Sequence, residues 1–167
     1  MNHGSPARFI LATVALGRSS VKDDVGQIVI DELRGRNVTL VRSLTVNRER
    51  HFIEQLVKNI AGGNEADVVI LIGGVGLGLR DYTCEAVDGL ADRRIEGFGE
   101  AFRQMMRDEL KVGVRAFLAR ATAGICNRCL FVALPREPDP LRLAIRDLVL
   151  PTVADALRRA SSAPPVV

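Results

Sequence analysis

The residues best suited to chemistry are gathered in one run, Gly73-Gly74-Val75-Gly76-Leu77-Gly78-Leu79-Arg80-Asp81. Glycines at 73, 74, 76 and 78 let backbone N–H groups approach a bound oxyanion and take conformations that a side chain forbids, as an anion nest requires. Arg80 adds a fixed positive charge, and Asp81 a carboxylate able to hold Mg²⁺ between phosphates. The chemistry is that of phosphate binding. The same residues also read as a tight strand-to-helix turn in which Arg80 and Asp81 pair with each other, and spacing alone does not separate the two readings.

Other candidates are weaker. Cys126-Asn127-Arg128-Cys129 is a lone CxxC, with no second pair, and His3 and His51 lie far away in the chain. A structural zinc site wants four ligands, so the plain reading is two free thiols on a turn. Phe98, Phe102, Met105 and Met106 recur at helical spacing and read as core or subunit-interface residues rather than a stacking face for a cofactor. Glu96 and Glu100 fall where carboxylates stabilise a helix start whether or not they meet a ligand. Arg158-Arg159 reads as a solvated helix end.

The elements that must position these residues alternate between strand and helix. Phe9 to Leu16 is nearly continuous apolar sequence and predicts a buried strand, followed by a loop at Gly17-Arg18-Ser19-Ser20. From Asp23, Val25, Ile28, Val29 and Leu33 recur at helical spacing, and Gly35 stops that helix. Val38 to Leu44 suits a second strand. Asn47 then caps a helix whose buried face is Phe52, Ile53, Leu56, Val57 and Ile60 and which Gly62-Gly63 ends. Val68 to Ile72 is apolar on both faces, as a central parallel strand must be, and runs straight into the glycine loop. Ligands of open α/β sheets bind beyond the carboxyl ends of strands, which is where that loop lies. Thr83 caps a short helix, and Gly97-Phe98-Gly99 leads into a longer one that includes Leu110. Arg115 to Ile125 and Cys129 to Leu134 read as two strands joined by the Cys126-Asn127-Arg128 turn. The closing helix, from about Leu141, carries Ala144, Ile145 and Leu148 and tolerates Pro151 only with a kink or restart.

Composition narrows the class. The 167 residues are 47% apolar and 26% charged, as in an ordinary globular α/β protein built from one domain. No apolar run approaches the roughly 20 residues that span a bilayer, and Met1 to Arg8 lacks the layout of a secretory signal, which implies the cytoplasm and no membrane partner. A net charge of +3 with one tyrosine, no tryptophan and no Lys/Arg block favours an anionic small molecule over nucleic acid.

Longer segments carry a resemblance. Gly73 to Ala86, GGVGLGLRDYTCEA, resembles the signature loop of the MoaB/Mog molybdenum-cofactor family, GGTGxxxRDxTPEA. Glu96 to Arg103 is similar to the family's PGFGExFR, Leu118 to Gly124 to its LSRAxAG, and Leu148 to Pro151 also fits. The likeness runs from about residue 8 to 158. It implies a three-layer α/β/α sandwich with a mostly parallel sheet over residues 8–160, while 1–7 and 161–167, the latter with Pro164-Pro165, read as flexible tails. It also implies a homotrimer or hexamer, other molybdenum-cofactor assembly proteins as partners, and molybdopterin as ligand or substrate. Active members of the family use Mg-ATP to transfer AMP onto the terminal phosphate of molybdopterin. Carried onto this chain, the catalytic positions are Asp81, which also holds the metal, and Asn47. The binding positions are Gly73, Gly74, Val75, Gly76, Gly78, Arg80, Thr83, Glu100, Arg120 and Arg136.

The departures bear on turnover. The family's second aspartate, in a PD pair after the second strand, falls on Asn47, a weaker metal ligand. The family's Ser-Asp after strand one is Ala15-Leu16, the threonine of GGTG is Val75 and the serine of LSR is Ala119. The LPGSP loop appears as Leu134-Pro135-Arg136-Glu137-Pro138, where Glu137 repels a phosphate and Arg136 can compensate. Three readings follow: a molybdopterin adenylyltransferase, a catalytically impaired paralogue that serves as a carrier or partner subunit, and a nucleotide-binding regulator that uses the same loop. The lost polar groups favour the second over the first.

Overall fold

The computed structural model describes residues 5–16 and 24–161; the loop expected at 17–20 and most of the tails expected at both ends lie outside the described residues. Six strands form one sheet in the order β2-β1-β3-β6-β5-β4. They are β1 Ala7–Ala15, β2 Val38–Asn47, β3 Val68–Ile72, β4 Arg93–Arg94, β5 Thr122–Cys126 and β6 Cys129–Leu134. β2, β1, β3 and β6 run parallel, whereas at one edge β5 pairs antiparallel with β6 and β4 antiparallel with β5. The expectation of a mostly parallel sheet covered on both faces holds.

Period-two alternation divides the core. Phe9 and Leu11 of β1, Val68, Ile70 and Ile72 of β3, and Leu130, Val132 and Leu134 of β6 point to one face. They pack there against α1 (Asp24–Leu33), α4 (Phe98–Glu109) and the C-terminal helices. Ile10, Ala12, Val69, Leu71, Phe131 and Ala133 point to the other face, against α2 (Arg50–Gly63) and α3 (Thr83–Leu90). All five residues of β3 are fully buried. Burying each large aliphatic side chain contributes about 1.5–3 kcal/mol, so this strand anchors the loop that follows it.

Several local expectations change. Asn47 does not cap α2: it is the last residue of β2, paired with Ala15, and the helix begins at Arg50. Phe52, expected in the core, is exposed, because Ile53, Val57 and Ile60 already fill the inward stripe. Arg115 to Ile125 is not one strand. Lys111 and Gly113 take positive φ and turn the chain, Arg115–Leu118 forms a short helix, α5, and β5 starts only at Thr122. The hairpin at Asn127-Arg128 is as expected, both residues having positive φ in a two-residue turn. The flanking Cys126 and Cys129 are free and buried. Burial pushes their thiols up to about 11 and about 12.

At the C-terminus α6 (Pro138–Leu143) passes into a π-helical turn, Ala144–Val149, and then α7 (Leu150–Ser161). The wide turn lies just ahead of Pro151, which has no N–H to donate and whose ring crowds the preceding turn. Thr152 compensates, donating its hydroxyl to the carbonyls of Leu148 at 2.8 Å and Val149 at 3.0 Å. Ser161 is thus helical, as Ala7 at the other end is already paired with Val38. Among the described residues no helix is long and apolar enough to cross a membrane.

Candidate functional site

The loop leaves the carboxyl end of β3 with Gly73 at φ +101° and Gly74 at φ +65°, conformations that L side chains rarely adopt. Gly73 still belongs to the sheet, donating to the Leu134 carbonyl at 2.8 Å. A Cβ there would lie 3.0 Å from Cγ of Arg136 and from the Val14 carbonyl, so Arg136 lies against the loop. At the far end Thr83, fully buried, donates its N–H to Gly74 O at 2.9 Å and its hydroxyl to Gly73 O at 2.7 Å. Thr83 was expected to cap α3. It lies instead inside the first turn, and its hydroxyl is spent on holding the loop.

Between these ties the backbone is open. The N–H groups of Gly74, Val75, Gly76 and Leu77 donate to no protein acceptor among the described residues. The side chain of Val75 is buried among the apolar residues under α2 and α3, so it turns no hydroxyl or other polar group toward the loop. Arg80 is exposed.

Asp81 does not pair with Arg80. Its carboxylate, only 6% exposed, accepts the Gly78 N–H at 2.9 Å on Oδ2 and the Arg48 guanidinium on Oδ1. Arg48 follows Asn47 directly, so the segment after β2 does reach the loop, as the family resemblance required, but with a cation. On the opposite side Arg120 pairs with Glu85 and donates to the Gly76 carbonyl at 2.9 Å. Arg48 and Glu85 were missed by the sequence reading. Each offers only a charge, and each finds its partner more than thirty residues away.

Arg120 also lines a cleft of about 180 Å³ between α3 and α4, with Asp88, Arg94, Glu96, Glu100 and Arg103. Glu100 pairs with Arg103 at 3.3 Å, and its side chain is largely exposed. Gly99 lets α4 approach this region: a Cβ there would lie 2.8 Å from the Ala121 carbonyl. Glu137 is the exposed residue that precedes α6.

Mg²⁺ fits this arrangement poorly. Both oxygens of Asp81 are engaged, one by a guanidinium, Asn47 supplies no charge, and among the described residues no group of three His, Cys, Asp or Glu side chains could hold a metal. An oxyanion fits better, because it needs donors, and unengaged amides and arginines are what the loop presents.

Residues 10–155 match the family described as "Probable molybdopterin binding domain". Molybdenum cofactor biosynthesis protein B of Escherichia coli (strain K12) is 31% identical over 146 residues, 87% of this chain and 85% of that protein. The protein of the same name from Staphylococcus epidermidis is 43% identical over 100 residues, 60% of this chain and 56% of that protein. A crystal structure of a molybdenum cofactor biosynthesis protein B superposes with a TM-score of 0.88 at 29% identity, over 96% of this chain and 99% of the other.

Proposed function

The chain belongs to the family of molybdopterin-binding domains found in molybdenum cofactor biosynthesis proteins, and from that premise we propose that it acts in the same biosynthesis by holding the phosphate of molybdopterin in the β3 loop. One observation carries the reading: four consecutive N–H groups, Gly74 to Leu77, stand without protein acceptors beside Arg80, Arg120 and Arg136. Amides held in place by positive-φ glycines suit an oxyanion without reorganisation, and the arginines add charge-assisted hydrogen bonds. The pterin then extends over Arg120 toward the cleft between α3 and α4.

Within that role the chain is a binding member with impaired turnover, a carrier or partner subunit working in the cytoplasm. Adenylylation with Mg-ATP asks for carboxylates free to hold a metal, and here Asp81 is engaged by Arg48 while Asn47 stands where the family has its other aspartate. Calorimetry with molybdopterin tests the first part: binding is expected in wild type, weakened about tenfold by Arg136→Ala, and no heat at millimolar ligand overturns it. Incubation with molybdopterin and Mg-ATP followed by mass spectrometry tests the second. Accumulation of adenylylated pterin would restore the enzyme reading.

A further inference from the structure

We propose that Arg48 is the resident cation of this site, standing in for a divalent ion beside Asp81, so that the loop binds a phosphate monoester without metal; this rests on the reading of the β3 loop as a phosphate site. The argument begins with repulsion. Asp81 Oδ2 lies so near the loop that a Cβ on Gly76 would come within 2.7 Å of it, and one on Gly78 within 2.9 Å. A negative charge held there opposes any oxyanion approaching the same amides, and low exposure leaves little water to screen it. Something must neutralise it.

Arg48 does so from the strand end next door. One edge of its guanidinium holds Asp81 Oδ1, while its Nε is buried and has no hydrogen-bond partner. Glu85 Oε2 is the other buried side-chain atom left without a partner among the described residues, and it too belongs to an ion pair flanking the loop. A guanidinium keeps its charge at any pH a protein survives, and its planar fork lets it bind two groups at once. Arg48 can therefore cancel Asp81 and keep a donor for an incoming ligand oxygen, a combination that Mg²⁺ would supply only with free carboxylates to hold it. With Arg120 on Glu85 and Arg48 on Asp81, each carboxylate beside the loop has its own arginine.

The test uses AMP as a phosphate monoester that chelates Mg²⁺ only weakly, titrated into the full chain in EDTA and again in millimolar Mg²⁺. Wild type is expected to bind with the same dissociation constant, within about twofold, in both buffers. Arg48→Met is expected to bind about tenfold more weakly in EDTA and to recover in Mg²⁺, because Asp81 is then free to take the ion. Arg48→Lys keeps the charge and should stay independent of metal even if Arg48→Met fails to fold. A tenfold or greater gain by wild type in Mg²⁺ overturns this proposal and leaves the phosphate loop standing, as does unchanged affinity of Arg48→Met in EDTA. No binding by wild type in either buffer overturns this proposal, and the molybdopterin calorimetry then decides the reading of the loop by itself.

Discussion

The hydroxyl of Thr83 donates to the carbonyl of Gly73 at 2.7 Å, so the first turn of α3 is buttoned to the residue that ends β3. The same hydroxyl closes off the space above Gly74, where a Cβ would lie only 2.5 Å from it. Gly74→Ala therefore meets both a positive φ and a clash with a fully buried group, and should lose about 2–4 kcal/mol in urea unfolding. Thr83→Val leaves the Gly73 carbonyl without that donor and should lose about 1–3 kcal/mol. Ligand affinity should fall further in Gly74→Ala than in Thr83→Val, since only the former moves the amides. Equal stability of Gly74→Ala and wild type would show that the loop is not held as described.

At the opposite end of the sheet Arg8 grips Asp67, with its N–H on Oδ2 at 2.8 Å and its guanidinium on Oδ1 at 2.9 Å. Burial pushes the Asp67 carboxyl up, but the hydrogen bonds from Arg8 outweigh that and hold it below its ordinary value. A carboxyl depressed in the folded state stabilises the fold above its unfolded pKa and loses that contribution as pH falls through the folded one. Asp67→Asn should thus be less stable than wild type at neutral pH, and the gap should close below about pH 4. Urea unfolding of both proteins across that range checks it; a gap that widens in acid would contradict the sign.

Of the two roles open to the apolar side chains of α4, the structure gives Phe98, Phe102 and Met106 the core, and the exposed apolar surface lies elsewhere. Val114, Phe117 and Leu118, on and just before α5, are 78%, 72% and 64% exposed. The homotrimer implied by the family resemblance is expected to bury this patch. Phe117→Asp should then shift sedimentation from an oligomer toward the monomer without lowering thermal stability of the protomer. A wild type that sediments as a monomer at micromolar concentration would remove the oligomer, and an unchanged Phe117→Asp would remove α5 from its interface.

What was legible in the chain followed how each element is stabilised. β3 and the inward stripes of α1 and α2 are held by burial, and burial leaves a periodic apolar trace. The glycine loop was legible because its backbone conformation demands glycine at 73 and 74. β4 was not: it is two arginines, exposed, that pair with Gly124 and Ile125 through the backbone alone. Phe117 and Leu118, inside the strand expected at Arg115 to Ile125, lie exposed on a helical turn, so their apolar character does not report burial in the protomer's core. The pairing of Arg48 with Asp81 was invisible because one arginine in Arg48-Glu49-Arg50 looks like any solvated charge until β2 carries it to the loop.

That pairing sets the last prediction. Judged from the sequence alone, Asn47→Asp with Glu137→Ser returns a metal ligand and removes a charge that repels phosphate, and some adenylyl transfer is the natural expectation. With Arg48 on Asp81 the double change is insufficient, because the restored aspartate gains a guanidinium neighbour and the metal still lacks Asp81. Adding Arg48→Asn frees Asp81 and should raise product formation by orders of magnitude over the double variant. Adding Asp81→Asn to that triple variant should abolish the gain while leaving pterin binding largely intact, since the Gly74 to Leu77 amides are untouched. Mass spectrometry of the pterin after incubation with Mg-ATP reads each step. Adenylylated product from the double variant at the level of the triple would show that Arg48 yields to the metal unaided, and that Asp81 was available all along.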